Sequence, residues 1–114
     1  MINAGDCLEF LSGGLYKATI HRVVQPPQDQ RLSTRLGAFY FAIPDDSVKL
    51  VPLADSPVLQ RVGIVRRFSD ESAPTAEVWR KGRTRAYGQS ELKKGEKEGE
   101  EEELINGVVV KHYN

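Results

Sequence analysis

The amino-acid sequence predicts a mainly β chain with helix confined to its C-terminal part. Two runs of β-branched, aromatic and aliphatic residues, Leu15 to Val24 and Leu36 to Ile43, read as strands. The connection between them, QPPQDQRLST, is too polar and too proline-marked for helix or strand, so it reads as a loop joining an antiparallel pair. Helix-start chemistry is found only beyond residue 56.

In chain order, Ala4-Gly5-Asp6 is a turn, Cys7 to Leu11 a short strand and Gly13-Gly14 a second turn. After the two long runs, Val48 to Leu53 is a further strand candidate, limited by Pro52. Residues 54 to 73 fit a short helix from Pro57 or a strand equally well. Pro74-Thr75 then opens a helix through AEVWRKGRTRAYG, with Val78 and Trp79 as packing residues and Gly82 weakening its middle. Residues 88 to 103 are almost wholly polar and predict a solvated helix, with Ser90 as a candidate cap, or a disordered segment. LINGVVVKHYN follows as a short strand or docking tail after Asn106-Gly107. The division expected is 1–53 as the β part and 54–114 as a C-terminal extension.

The totals restrict function. The 114 residues suffice for one small domain, 39% of them apolar and 28% charged. Sixteen basic and sixteen acidic residues give a formal net charge of zero, which argues against coating nucleic acid or an anionic membrane. No apolar run approaches the roughly 20 residues that span a bilayer, and MINAGDCLEF lacks the pattern of a signal peptide. The lone Cys7 has no disulfide partner within the chain and no metal-site spacing around it, so a reducing, cytoplasmic setting is expected.

Few residues carry candidate chemistry. On a strand, Lys17, Thr19, His21 and Val23 share a face, and imidazole is a common ligand for iron, zinc and copper. By spacing alone, a single histidine is more often structural. Arg35 shares a face with Gly37, Phe39 and Phe41; its donor fork suits a carboxylate, and the plain alternative is an exposed arginine or one paired with Asp29 or Asp45. Ser12 and Ser33 have no histidine and acid partners. Arg80, Lys81, Arg83 and Arg85 fit a solvated helix face better than a phosphate-binding one, and Glu100 to Glu103 and His112 are expected in solvent.

Together, INAGDCLEFLSGGLYKATIHRVV, the loop and RLGAFYF resemble the C-terminal half of the catalytic domain in isopenicillin N synthase-like, iron(II)- and 2-oxoglutarate-dependent dioxygenases. There a G-D turn and an N-G or G-G turn precede a Y-K-[SA]-x-x-H-R-V strand, and an Arg-x-Ser strand follows. The resemblance is close over residues 2 to 53 and loose beyond, where EVWRKGR is similar to the helix after the barrel in fungal members. It implies a partial double-stranded β-helix of jelly-roll type, with His21 as the distal iron ligand. It also implies an arginine holding the far carboxylate of 2-oxoglutarate: Arg35, which runs without a gap into AFYFAIP, or Arg31, whose Arg31-Leu32-Ser33 spells the motif with its serine. The activity implied is hydroxylation or desaturation of a small organic substrate. In isopenicillin N synthase itself the matching arginine holds the substrate.

The departure from the family is as informative. The two other ligands of a 2-His-1-carboxylate triad come from an H-x-D/E motif, and none occurs here: Arg22-Val23 follows His21, and Tyr113-Asn114 follows His112. The expectation is a dioxygenase C-terminal part, inactive alone, with the partners of His21 upstream of Met1. The alternative is a non-catalytic remnant or interaction module that pairs through exposed strand edges. Half a barrel leaves apolar surface uncovered, so self-association is expected.

Overall fold

A computed structural model describes residues 1–113 except Gly88 and Ser90, with the backbone alone at His112 and Tyr113. Its elements are α1 (Asp6–Leu11), a single 3₁₀ turn at Gln28–Gln30, α2 (Pro57–Val62), α3 (Ala76–Ala86), β1 (Lys93–Lys94), β2 (Glu100–Ile105) and β3 (Val108–Tyr113).

The segment read as a strand at Cys7 to Leu11 is helix α1. Helical spacing puts Cys7, Phe10 and Leu11 on one side, and these residues pack into the core; a strand would have put Glu9 between Cys7 and Leu11 instead. Asp6 and Glu9 in the first turn suit the helix dipole. Gly13 and Gly14, at φ +56° and +81°, close the helix, with the Gly14 N–H donating to Glu9 O at 2.8 Å. The undecided stretch after Ser56 is helical: Pro57 occupies its first turn and Gly63, at φ +88°, ends it.

Helix α3 forms where expected, with Thr75 Oγ1 accepting from the Val78 N–H at 3.3 Å. Its buried residues are Ala76 and Trp79, whereas Val78 faces outward. The Trp79 ring meets Phe10 edge-on at 4.9 Å and Phe68 at 6.1 Å, and Phe10 meets Phe68 at 5.2 Å. Leu50, Ile105 and Val108 complete the core, which therefore draws on both ends of the chain.

The segment expected as solvated helix or disorder contributes instead to a three-stranded antiparallel sheet, ordered β1-β2-β3. Asn106 and Gly107 carry φ of +49° and +79°, the positive pair that a type I′ hairpin turn needs. The register then runs from Ile105↔Val108 to Glu100↔Tyr113. The acidic run survives as a strand because cations sit across from it. Glu102 faces Lys93 on one side and Lys111 on the other. Glu100 and Glu103, expected in solvent, are 2% and 7% exposed. Glu100 pairs with Lys111 at 3.0 Å and Glu103 with Arg83 at 2.7 Å. The Ser90 cap and the exposure of His112 lie outside the described residues.

Gly82 has a packing role in α3. The Asn106 side chain sits against it and donates to Val78 O at 3.0 Å, and a Cβ at position 82 would lie 2.8 Å from Asn106 Cγ. The hairpin turn is thereby seated on the helix.

Among the described residues, Leu15 to Val24 and Leu36 to Ile43 are paired neither with each other nor with other strands. Across residues 15–43 only Ala18 is even half-buried. Val48 to Leu53 forms only an isolated bridge, Lys49↔Thr75, while Leu50 enters the core. A strand needs a neighbour for its backbone groups and its apolar face, and here α1, α3 and the hairpin form the core among themselves. Accessible surface totals 9391 Å², against about 6,200 Å² for a folded monomer of this mass. The radius of gyration is 16.5 Å, against about 13 Å for a domain of this length.

Two measurements check this account. Gly82→Ala is expected to destabilise the protein by about 1 kcal/mol in urea denaturation, because the lost Asn106 contact outweighs the helix-propensity gain. In an Asn106→Gly background the same change is expected to stabilise. Hydrogen bonds to Glu100 and then Glu102 raise the Lys111 pKa above the ordinary lysine value. That contribution is full below the unfolded lysine pKa and disappears as pH rises through the folded one. Lys111→Met is therefore expected to remove a loss of hairpin stability confined to strongly alkaline pH.

Candidate functional site

The residues singled out by sequence lie on the exposed arm that follows α1. His21 is exposed, and its Nδ1 lies 2.8 Å from Thr19 O. A carbonyl only accepts, so Nδ1 carries the hydrogen and the lone pair of the neutral ring is on Nε2. A hydrogen bond of this kind fixes the tautomer in metal-ligating histidines. Arg31 Nε donates to Pro26 O at 3.4 Å within the loop, and the Ser33 N–H donates to Gln30 O at 3.1 Å. Arg35 is exposed. Among the described residues, no hydrogen bond or ion pair joins His21, Arg31, Ser33 and Arg35 to one another, and no three His, Cys, Asp or Glu side chains converge as a metal site.

The arm is nevertheless anchored just ahead of His21. Glu9, on α1 and only 7% exposed, accepts the Ala18 N–H on Oε2 at 2.8 Å. Its Oε1 takes Arg67 at 2.8 Å, with Lys17 farther off at 3.7 Å. The Thr19 N–H donates to Ala4 O at 3.0 Å. The direction of the chain into His21 is thus set by α1 and the residues leading into it. Sequence reading passed over Glu9 because a strand places it as one polar position among alternating ones. A carboxylate inside the helical pattern CLEFL was the available signal.

Other charged groups serve structure. Arg80 pairs with Asp46 at 2.9 Å, Lys81 with Glu77, and Arg83 with both Asp6 and Glu103. Most of the basic cluster on α3 therefore faces carboxylates of its own chain. Cys7 is half-buried, and burial, helped by Asp6, pushes its thiol pKa up, away from the reactive thiolate. No helix among the described residues is long and apolar enough to cross a membrane.

Comparison with known proteins gives one informative likeness. The chain is 37% identical over 62 residues to jasmonate-induced oxygenase 3 of Arabidopsis thaliana. That stretch covers 52% of this chain but only 16% of the relative. No protein-family model matches, and no solved structure does. The likeness is to an oxygenase, over less than a fifth of that protein's length.

Replacing Glu9 tests the anchor. Glu9→Ala is expected to cost about 2 kcal/mol in urea denaturation, since it orphans a partly buried N–H and a charge partner. Hydrogen exchange at the Ala18 amide should accelerate in Glu9→Ala and much less in Glu9→Gln. Unchanged exchange in Glu9→Ala would mean that the carboxylate does not hold the arm.

Proposed function

We propose that this chain is the C-terminal part of an iron(II)- and 2-oxoglutarate-dependent oxygenase of the isopenicillin N synthase-like type, related to the fungal members. In this reading His21 is one iron ligand, through Nε2. Arg35 binds the distal carboxylate of 2-oxoglutarate, with Arg31 and Ser33 as the alternative pair. The observation that carries the reading is the 37% identity to an oxygenase. The Thr19 carbonyl, which leaves Nε2 as the lone-pair nitrogen of His21, supports it. Residues 15–43 belong in this reading to a double-stranded β-helix whose other strands come from elsewhere.

The residues at hand do not by themselves fit iron. One exposed imidazole is a single ligand, and among the described residues no three His, Cys, Asp or Glu side chains converge to hold a metal ion. A facial-triad site needs two further ligands. The chain alone is therefore proposed to be inactive, and no reaction step is assigned to its residues.

Two results test the proposal. Anaerobic titration of the purified chain with iron(II) and 2-oxoglutarate is expected to give no visible charge-transfer band; a band at stoichiometric iron would overturn the incomplete-site part. The transcript carrying this reading frame is expected to encode an H-x-D/E motif in frame ahead of Met1. In that longer product, His21→Ala should abolish 2-oxoglutarate turnover, and Arg35→Ala should raise the KM for 2-oxoglutarate at least tenfold, on the order of one lost charge-assisted carboxylate pair. A transcript without the motif would sink the oxygenase reading.

A further inference from the structure

The stretch RLGAFYFAIPD, Arg35 to Asp45, is self-complementary when set against a reversed copy of itself. Tyr40 is its centre, a cation opens it and an anion closes it. Tyr40 is 93% exposed, and Phe39 and Phe41 are each 78% exposed. Among the described residues, no backbone hydrogen bond engages positions 35–44. Uncharged from Leu36 to Pro44, without helix or turn and unpaired, the segment offers backbone groups of the kind that other chains add to as a strand.

We propose that a second copy of this chain occupies that edge, antiparallel, about a twofold axis through Tyr40. This interaction does not depend on the oxygenase reading. A twofold axis normal to a two-stranded ribbon keeps paired residues on the same face. Tyr40 then lies opposite the partner's Tyr40, and Phe39 opposite the partner's Phe41, once on each side of the axis. Gly37 faces the partner's Ile43, a small residue opposite a large one. Arg35 lies directly opposite the partner's Asp45, again twice. Cross-strand aromatic pairs and opposite-charge pairs are the contacts that stabilise such ribbons. A parallel, in-register pairing would stack Arg35 on the partner's Arg35 and Asp45 on the partner's Asp45.

Two further facts agree with this register. Asp46 is already held by Arg80 at 2.9 Å, whereas Asp45 and Arg35 are both exposed. Pro44 lacks an N–H, so it must sit where the backbone points away from the partner. That requirement makes the odd-numbered residues the hydrogen-bonded pairs and puts the two Tyr40 residues at a non-hydrogen-bonded position. There the Cα atoms of opposed residues lie about 4.5 Å apart, within disulfide reach.

Sedimentation of the full chain over two decades of concentration is expected to show a monomer–dimer equilibrium. Arg35→Asp and Asp45→Arg should each weaken the dimer roughly tenfold, having turned two attractive pairs repulsive, and the double exchange should restore it. Because the segment is exposed, near-ultraviolet circular dichroism of Trp79 should not change in any of these variants. In a Cys7→Ser background, Tyr40→Cys should oxidise readily to a cross-linked dimer, whereas Ala38→Cys should not, since Ala38 faces the partner's Ala42. A monomer at every concentration overturns the proposal, as do charge reversals without effect. Equal cross-linking at positions 38 and 40 would mean parallel stacking and overturns it too. None of these readouts involves iron, so failure here leaves the oxygenase reading standing.

Discussion

The packing of Trp79 against Phe10 is the contact on which the folded part of this protein depends. It joins a six-residue helix near the N-terminus to the helix opened by Thr75, and it does so twice over. The rings meet edge-to-face at 4.9 Å, and Trp79 Nε1 donates to Asp6 Oδ2 at 3.2 Å. Asp6 also takes Arg83 at 3.4 Å, and Arg83 reaches Glu103 on β2 at 2.7 Å. One arginine and one indole thus tie α1, α3 and the hairpin together around Ile105 and Val108. A six-residue helix has no independent stability in water; α1 exists because its apolar side is covered by these neighbours.

That core has a consequence for the arm. The apolar residues of the chain divide into two sets. Phe10, Leu50, Trp79, Ile105 and Val108 are satisfied, whereas Ile20, Val23, Leu36, Phe39 and Phe41 lie in solvent. No turn geometry or capping fault explains the second set. Strands are stabilised by neighbours, and helix α1 leaves through Gly13-Gly14 with no sheet beside it to receive the arm. The further strands of the proposed β-helix and a second copy would satisfy the same unpaired backbone groups, so the two readings compete for one surface.

Local signals were legible where the decisive physics is local. Pro74-Thr75 as a helix start acts within a few residues, and α3 stands where that signal lies; the helix after Ser56 and the strand after Asn106-Gly107 each stand as one of the two alternatives that the sequence left open. What escaped reading depended on distant partners. The run Glu100 to Glu103 looks like a solvated stretch until Lys93 and Lys111 are placed across from it, and Gly82 looks like a helix defect until Asn106 is placed on it. Cys7 to Leu11 was misread because so short a run, apolar except at Glu9, suits either period, and the helical one is the one that turns Cys7, Phe10 and Leu11 toward the core. The candidate site residues His21 and Arg35 came from resemblance alone; in the structure both are exposed, and only His21 has a neighbour of note, the Thr19 carbonyl against its Nδ1.

Glu9 connects the two halves of this picture. A carboxylate at 7% exposure is costly unless its oxygens are engaged, and here they are, by Arg67 from the C-terminal part and by the Ala18 N–H of the arm. The buried charge is therefore stable only when the core has formed and the arm departs along one path. Two hydrogen bonds, Ala18 to Glu9 and Thr19 to Ala4, fix the chain immediately before His21. Beyond that point the described backbone bonds are confined to the 3₁₀ turn at Gln28–Gln30 and its flank until Val48. His21 thus stands at the boundary between chain positioned by the core and the exposed chain that follows it. The His21 side chain therefore has a root fixed by Glu9 and Ala4, while its ring lies in solvent.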